Sequence, residues 1–538
     1  MTPAALPRPL LAKEARALLP VWLAAVVVMV PGAVTGSSGF IGWGMLAFVF
    51  GTVALGALSI GHEYSHGTLS TLLAQPIRRS RLLLSKLAVL LPLLLSLGAL
   101  ASLMLLRTGG LLRADGGSLL GRQWAWALVA LAPLLGLVVA PWLTMVCRSP
   151  TAGMVFTLAV PAGLWTAGQI ARAAVSGFDT AALEYGPALT VMVGGVLVVS
   201  AAALVSGRAM FLRLEAPGAP REVAVGSRRS ERSVPAFPAA IRHRHPIVPL
   251  ARKELRLQSL AFVVAGLYAV AWTALSLGGV DAHIAGQSFQ DMAGMYGCFI
   301  AMLTGALAGA EERALGTREW QTLQPYAVWK QWAITIGMAI LVAFLLGTGL
   351  ATIMEWGFPM IRDSGSGRIP LITYLPGISR AGVAATAAIV LTSLYVASLS
   401  TGGLRAFLAT IPFSLALAWL YVTVWISGNN VTYNTVIPML NTLFDGVDLR
   451  SSRWWQNLPT VTASDMRWFN TASNWMAISA VAGFLAMTVV LGYRNHRSAE
   501  HGSAVALRQL TWLAAFVVLG GAAAAGLPTV LLWILVSY

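Results

Sequence analysis

The chain has 538 residues, 57% of them apolar and only 10% charged, where a soluble domain carries about 25% charged residues. A soluble enzyme is thereby excluded, and so is global disorder, which needs a chain poor in apolar and aromatic residues. Net charge is +16, but the basic residues crowd into a few loops, which fits membrane topology and not nucleic-acid binding. The two cysteines, Cys147 and Cys298, lie at or inside apolar segments and make neither a disulfide framework nor a Cys-rich metal site.

A bilayer core about 30 Å thick takes about 20 apolar residues in a helix, because unpaired backbone groups cannot face lipid. The apolar runs predict spans near 18–36, 40–60, 86–106, 124–146, 152–174 and 188–207. A second series follows near 260–279, 292–310, 333–353, 382–401, 407–427 and 474–492. A last run, 511–535, makes a thirteenth span or, broken at Gly520-Gly521 and Pro528, a shallow hairpin. With the N-terminus inside, 26 of the 36 Lys and Arg fall in inner loops, so the positive-inside rule predicts a cytoplasmic N-terminus. The first run reads as a retained span, since no clear small-x-small cleavage site follows it.

The pattern occurs twice. Lys13-Glu14-Ala15-Arg16 before the first span matches Lys253-Glu254-Leu255-Arg256 before the seventh, 240 residues on. Glu63-x3-Gly67-Thr68 followed by Gln75-Pro76 matches Glu312-x3-Gly316-Thr317 followed by Gln324-Pro325, at an offset of 249. Two matches in the same order predict two six-span halves as parallel repeats. The expected domains are a first half over 1–212, a Pro/Arg-rich cytoplasmic linker over 213–249, a second half over 250–493, and an extra span or hairpin over 494–538. Proline at the linker's density resists helix and sheet. Its Arg242-His243-Arg244-His245 cluster is either solvated or set against anionic headgroups.

In the loop after the second span, Gly67 can interrupt the spanning helix and Thr68 can cap a short new one. Leu69, Leu72 and Leu73 then share one face, and Pro76 ends the turn. The second copy repeats the geometry from Thr317, with Trp320 and Leu323 as its apolar face. A short amphipathic helix held between two spans can transmit force from a cytoplasmic partner; the alternative is a helix lying on lipid.

These residues resemble the type-2 ABC transporter permeases: Lys13-Glu14-x-Arg16, then Glu63-x3-Gly67-Thr68-Leu69-x3-Leu73-x2-Pro76-x2-Arg79-x6-Lys86, with the partial second copy. The resemblance implies an all-α polytopic membrane protein. Each half would have an N-terminal elbow helix (Lys13, Glu14, Arg16; Lys253, Glu254, Arg256), six spans and a coupling helix. The second copy departs from the pattern in Trp320 and in Trp329-Lys330, which come sooner after the proline. The resemblance also implies a separate ATPase, a dimer of ABC subunits that would hold ATP and Mg, while this chain would bind no cofactor. None of its four lysines follows a glycine, so the usual phosphate-cradling Gly-Lys-Ser/Thr loop is missing.

A rival motif overlaps the first loop. His62-Glu63-Tyr64-Ser65-His66 matches H-E-x-x-H, in which two histidines one turn apart bind zinc and the glutamate activates water. The alternative function is therefore a membrane-embedded zinc protease. Against it, the second copy keeps Glu312, Gly316 and Thr317 but has Glu311 and Leu315 in place of the histidines. Charges deep in the spans are scarce, Arg172, Glu184 and Glu355 lying near outer ends, which disfavours an ion-coupled carrier. The expected function is export of a lipophilic or amphipathic small molecule, lipid or peptide across a bacterial inner membrane.

Overall fold

The computed structural model describes residues 8–35, 38–65, 68–69, 71, 77–108, 119–176, 185–213, 247–277, 282–314, 326–354, 380–400, 402–414, 463–497, 505–513, 515–516 and 519. These are nearly all helical, with no strand among them. The first series is α1 (Arg8–Thr35), α2 (Ser38–Ser65), α3 (Arg79–Thr108), α4 (Leu119–Leu134), α5 (Ala140–Cys147), α6 (Pro150–Ser176) and α7 (Tyr185–Arg213). The second is α8 (Ile247–Leu257), α9 (Ser259–Leu277), α10 (Ala282–Ala314), α11 (Val328–Ala343), α12 (Arg380–Leu399) and α13 (Ala463–Arg497). The chain divides into two compact units, Met1–Pro412 with α1 to α12 and Phe413–Tyr538 with α13.

Among the described residues nine helices are long and apolar enough to cross a bilayer, or ten if the bent pair 248–274 is one span. They coincide with the expected spans one to ten. The expected eleventh span begins in helical residues 403–414, and α13 covers the twelfth. Most of 511–535, and the linker from 214 to 246, lie outside the described residues.

The two segments expected as elbows differ. In the first series no break separates this segment from the span: α1 is a single helix of 28 residues, about 42 Å at 1.5 Å per residue. In the second series α8 and α9 meet at 56°, and Gln258 at the joint donates its side-chain amide to the Thr304 carbonyl of α10 at 3.0 Å. Both segments nonetheless bury one face at helical spacing, Leu10, Glu14 and Leu18 in α1, and Leu250 and Glu254 in α8 with Gln258 at the joint.

Close backbone crossings rely on glycine. A Cβ on Gly56 of α2 would lie 1.8 Å from the Gly136 carbonyl oxygen, and one on Gly136 would lie 2.4 Å from the Thr52 carbonyl. Gly136 sits in a wide π turn, Leu135–Val139, that joins α4 to α5; such turns free a carbonyl from the regular ladder. A second π turn, Phe344–Gly349, extends α11. There Tyr296 of α10 donates its hydroxyl to the Leu346 carbonyl at 2.9 Å.

The turn between α5 and α6 is sharp for identifiable reasons. Arg148 takes the left-handed conformation (φ 51°) that ends α5. Ser149 accepts a bond from the Ala152 N–H at 3.3 Å, and Pro150 opens α6, where its missing N–H costs nothing. Gly61 of α2 packs directly on Pro150.

Candidate functional site

At one end of the first series of helices, α1, α2 and α3 bring four charged groups together. Leu10, Ile60, Leu82, Met145 and Phe211 form a dry cluster there, and the polar residues lie one helical step from it. The Lys86 ammonium of α3 donates to Glu14 Oε1 of α1 at 2.8 Å and to the Ser59 carbonyl of α2 at 2.9 Å. It also lies 3.6 Å from Glu63 Oε1. Lys13 reaches the same Glu63 oxygen at 3.0 Å. Lys86, Glu14 and Glu63 are at most 3% exposed, whereas Lys13 is 48% exposed.

Burying an ion costs several kcal/mol even after relaxation, so such charges persist only when paired and hydrogen-bonded. Two carboxylates and two ammonium groups balance formally here, and three oxygens surround the ammonium of Lys86 with its three donors. The His62 Nε2 lies 3.1 Å from Glu63 Oε1, and Nδ1 lies 3.2 Å from the Leu58 carbonyl.

Glu63 also holds the following loop. Thr68 donates its hydroxyl to Glu63 Oε2, and the Thr68 N–H bonds the Glu63 carbonyl at 3.1 Å. The hydroxyl expected to open a new helix thus gives its proton back to the end of α2. Leu69 is buried and Thr71 exposed. Gly67, Leu72, Leu73, Pro76 and His66 lie outside the described residues. One carboxylate therefore joins the loop to α1 and, through Lys86, to α3.

In the second copy Glu254 is also buried. Thr335 of α11 donates its hydroxyl to Glu254 Oε1 at 3.0 Å. Lys253 is half-buried, and Arg16 and Arg256 are exposed. Glu312 falls within α10, but its side chain, like Gly316, Thr317, Trp320, Leu323 and Pro325, lies outside the described residues. Lys330 occupies no position like that of Lys86; its ammonium stands 5.6 Å from the Tyr326 and Trp329 rings. The counterpart of Lys86 is Thr335, at the same 249-residue offset that relates Glu63 to Glu312. Sequence reasoning missed this pairing because it sought a second lysine, although the offset itself pointed to Thr335.

Glu14, His62 and Glu63 offer ligand atoms within 4.8 Å of one another. Lys86, however, places its ammonium against both carboxylates, where a divalent cation would need to sit, and Lys13 adds a second positive charge. The donor set therefore suits an internal ion pair better than zinc.

Fold and site define an all-helical, multi-pass membrane protein with a buried ionic network joining three helices. Residues 18–160 match the family described as ABC-2 family transporter protein, a stretch from mid-α1 into α6 that includes Glu63 and Lys86. This supports an ABC transporter membrane subunit, a transport component of the type-2 permease kind. Comparison with curated proteins and with solved structures gives no match.

Proposed function

We propose that this chain is the full-size transmembrane subunit of an ABC exporter. Two six-span halves surround a pathway for a lipophilic or amphipathic small molecule, lipid or peptide, in a bacterial inner membrane with the N-terminus in the cytoplasm. A separate dimer of ABC ATPase subunits holds ATP and Mg and docks on the loops after α2 and α10. The observation that carries the reading is the double tie of Glu63, to Thr68 in the loop and to Lys13 in α1. A push on that loop reaches α1 and α3 through short polar contacts and not through a slack connection. Leu72, Leu73 and Pro76, with Trp320, Leu323 and Pro325 in the second copy, supply the apolar contact with the ATPase, while Leu69, expected on the same face, is buried within the chain and anchors the loop. Glu63 itself is buried and acts by holding the loop in position.

The test is co-expression of the chain with ABC ATPases that lack spans of their own, followed by purification and ATPase assays in lipid. The expected result is a stable complex whose hydrolysis rises with a lipophilic cargo. Failure of any such ATPase to associate, or cargo movement driven by an ion gradient alone, would overturn the reading.

A further inference from the structure

The 249-residue offset that relates the two loops also relates Phe50 of α2 to Phe299 of α10. These two rings touch: their centroids are 5.9 Å apart with planes at 22°. When two units are related by a two-fold rotation, a residue that meets its own counterpart must lie at the axis. Phe407 completes the group, 5.8 Å from Phe50 and 5.2 Å from Phe299. All three belong to the compact unit Met1–Pro412. Phe407 is fully buried, whereas Phe50 and Phe299 keep part of their surface open, as residues beside a path and not inside a core would.

Depth points the same way. Phe50 lies near the middle of α2, and Phe299 near the middle of α10. No charged residue occurs in 41–60 or 293–310, so these two helices offer a passing ion no side-chain charge at this level. Apolar constrictions of this kind close by excluding water.

We propose that Phe50, Phe299 and Phe407 form an aromatic plug at mid-membrane, on the axis between the halves. The plug seals the pathway against hydrated ions, and the apolar or aromatic body of the cargo passes by parting the rings. This rests on the exporter reading and names the part of the path that selects its cargo.

The seal can be tested without an ATPase. In proteoliposomes of the full chain, potassium flux read by an entrapped indicator should rise about tenfold, a change of about 1.4 kcal/mol in barrier, for the pair Phe50→Ala and Phe299→Ala. It should stay low for the pair Phe50→Leu and Phe299→Leu, which keeps the site apolar and bulky. A folded alanine pair that stays as tight as the parent overturns the plug. Should that pair fail to fold, Phe50→Cys and Phe299→Cys in a chain carrying Cys147→Ala and Cys298→Ala replace it, joined by a short bifunctional thiol reagent. Cross-linking that halts ATP-driven cargo movement until it is cleaved supports the plug, and movement that continues through the cross-link overturns it. Loss of the exporter reading would appear separately, as an unaltered chain that captures no ATPase.

Discussion

Lys86 and Thr335 stand 249 residues apart, and each bonds the buried glutamate of a Lys-Glu-x-Arg segment, Glu14 at 2.8 Å and Glu254 at 3.0 Å. An ammonium in one helix series and a hydroxyl in the other perform the same tie. In the first, Lys86 also faces a second buried carboxylate, Glu63, at 3.6 Å.

Lys86→Met should therefore be costly. It leaves the buried Glu14 carboxylate without its ammonium and Glu63 with only Lys13 and His62 beside it, and breaking a buried pair costs about 3–5 kcal/mol. Thr335→Val removes one hydrogen bond to a charged group, a loss of about 1.5–3 kcal/mol. Thermal unfolding of the two variants in the same detergent should rank them in that order.

Glu63→Ala should uncouple the loop while leaving most of the fold intact, whereas Glu63→Gln keeps an oxygen for Thr68. In the complex with its ATPase, the alanine variant should lose cargo-stimulated hydrolysis, and the glutamine variant should retain most of it. Lys13→Ala should cost less than Lys86→Met, because the Lys13 ammonium is half-exposed and Lys86 still faces Glu63. Equal behaviour of the Ala and Gln variants of Glu63 would argue against a role for the Thr68 bond.

Gly56→Ala should disrupt the α2 crossing, since its Cβ would fall on the Gly136 carbonyl oxygen. Overpacking costs about 1–3 kcal/mol where side chains can yield, and here the obstacle is backbone. Gly266→Ala in α9 meets nothing within 4 Å and should stabilise its helix slightly, the alanine preference being about 1 kcal/mol. Folded yield and unfolding temperature separate the two.

Tyr296→Phe should cost about 1 kcal/mol, the net worth of a neutral hydrogen bond, by leaving the Leu346 carbonyl in its π turn without the hydroxyl. The shift in unfolding temperature should exceed that of Tyr326→Phe at the start of α11.

Purified protein should carry no stoichiometric zinc by elemental analysis, and His62→Ala should leave that value unchanged. One equivalent of zinc, lost on His62→Ala, would restore the protease alternative.

Much of the architecture was legible in the sequence, because twenty apolar residues in a row have few places to go but across a bilayer. The first ten expected spans coincide with the helices found. The segments expected as elbows were less legible: Lys13-Glu14-x-Arg16 and Lys253-Glu254-x-Arg256 look alike, yet the first runs unbroken into its span and the second bends at Gln258. The ionic network was hidden for a related reason. Glu14, Glu63 and Lys86 read singly as inner-surface charges, and their burial depends on three helices packing together.

Chain order and hydropathy alone determined the number and placement of the early spans, together with the repeat offsets, since both are local properties of the polymer. Tertiary structure decided which charges leave water, that Thr335 takes the place of Lys86, and that Phe50 meets Phe299. Each depends on helices distant in the chain converging at one point, and a linear pattern records the residues without recording that meeting.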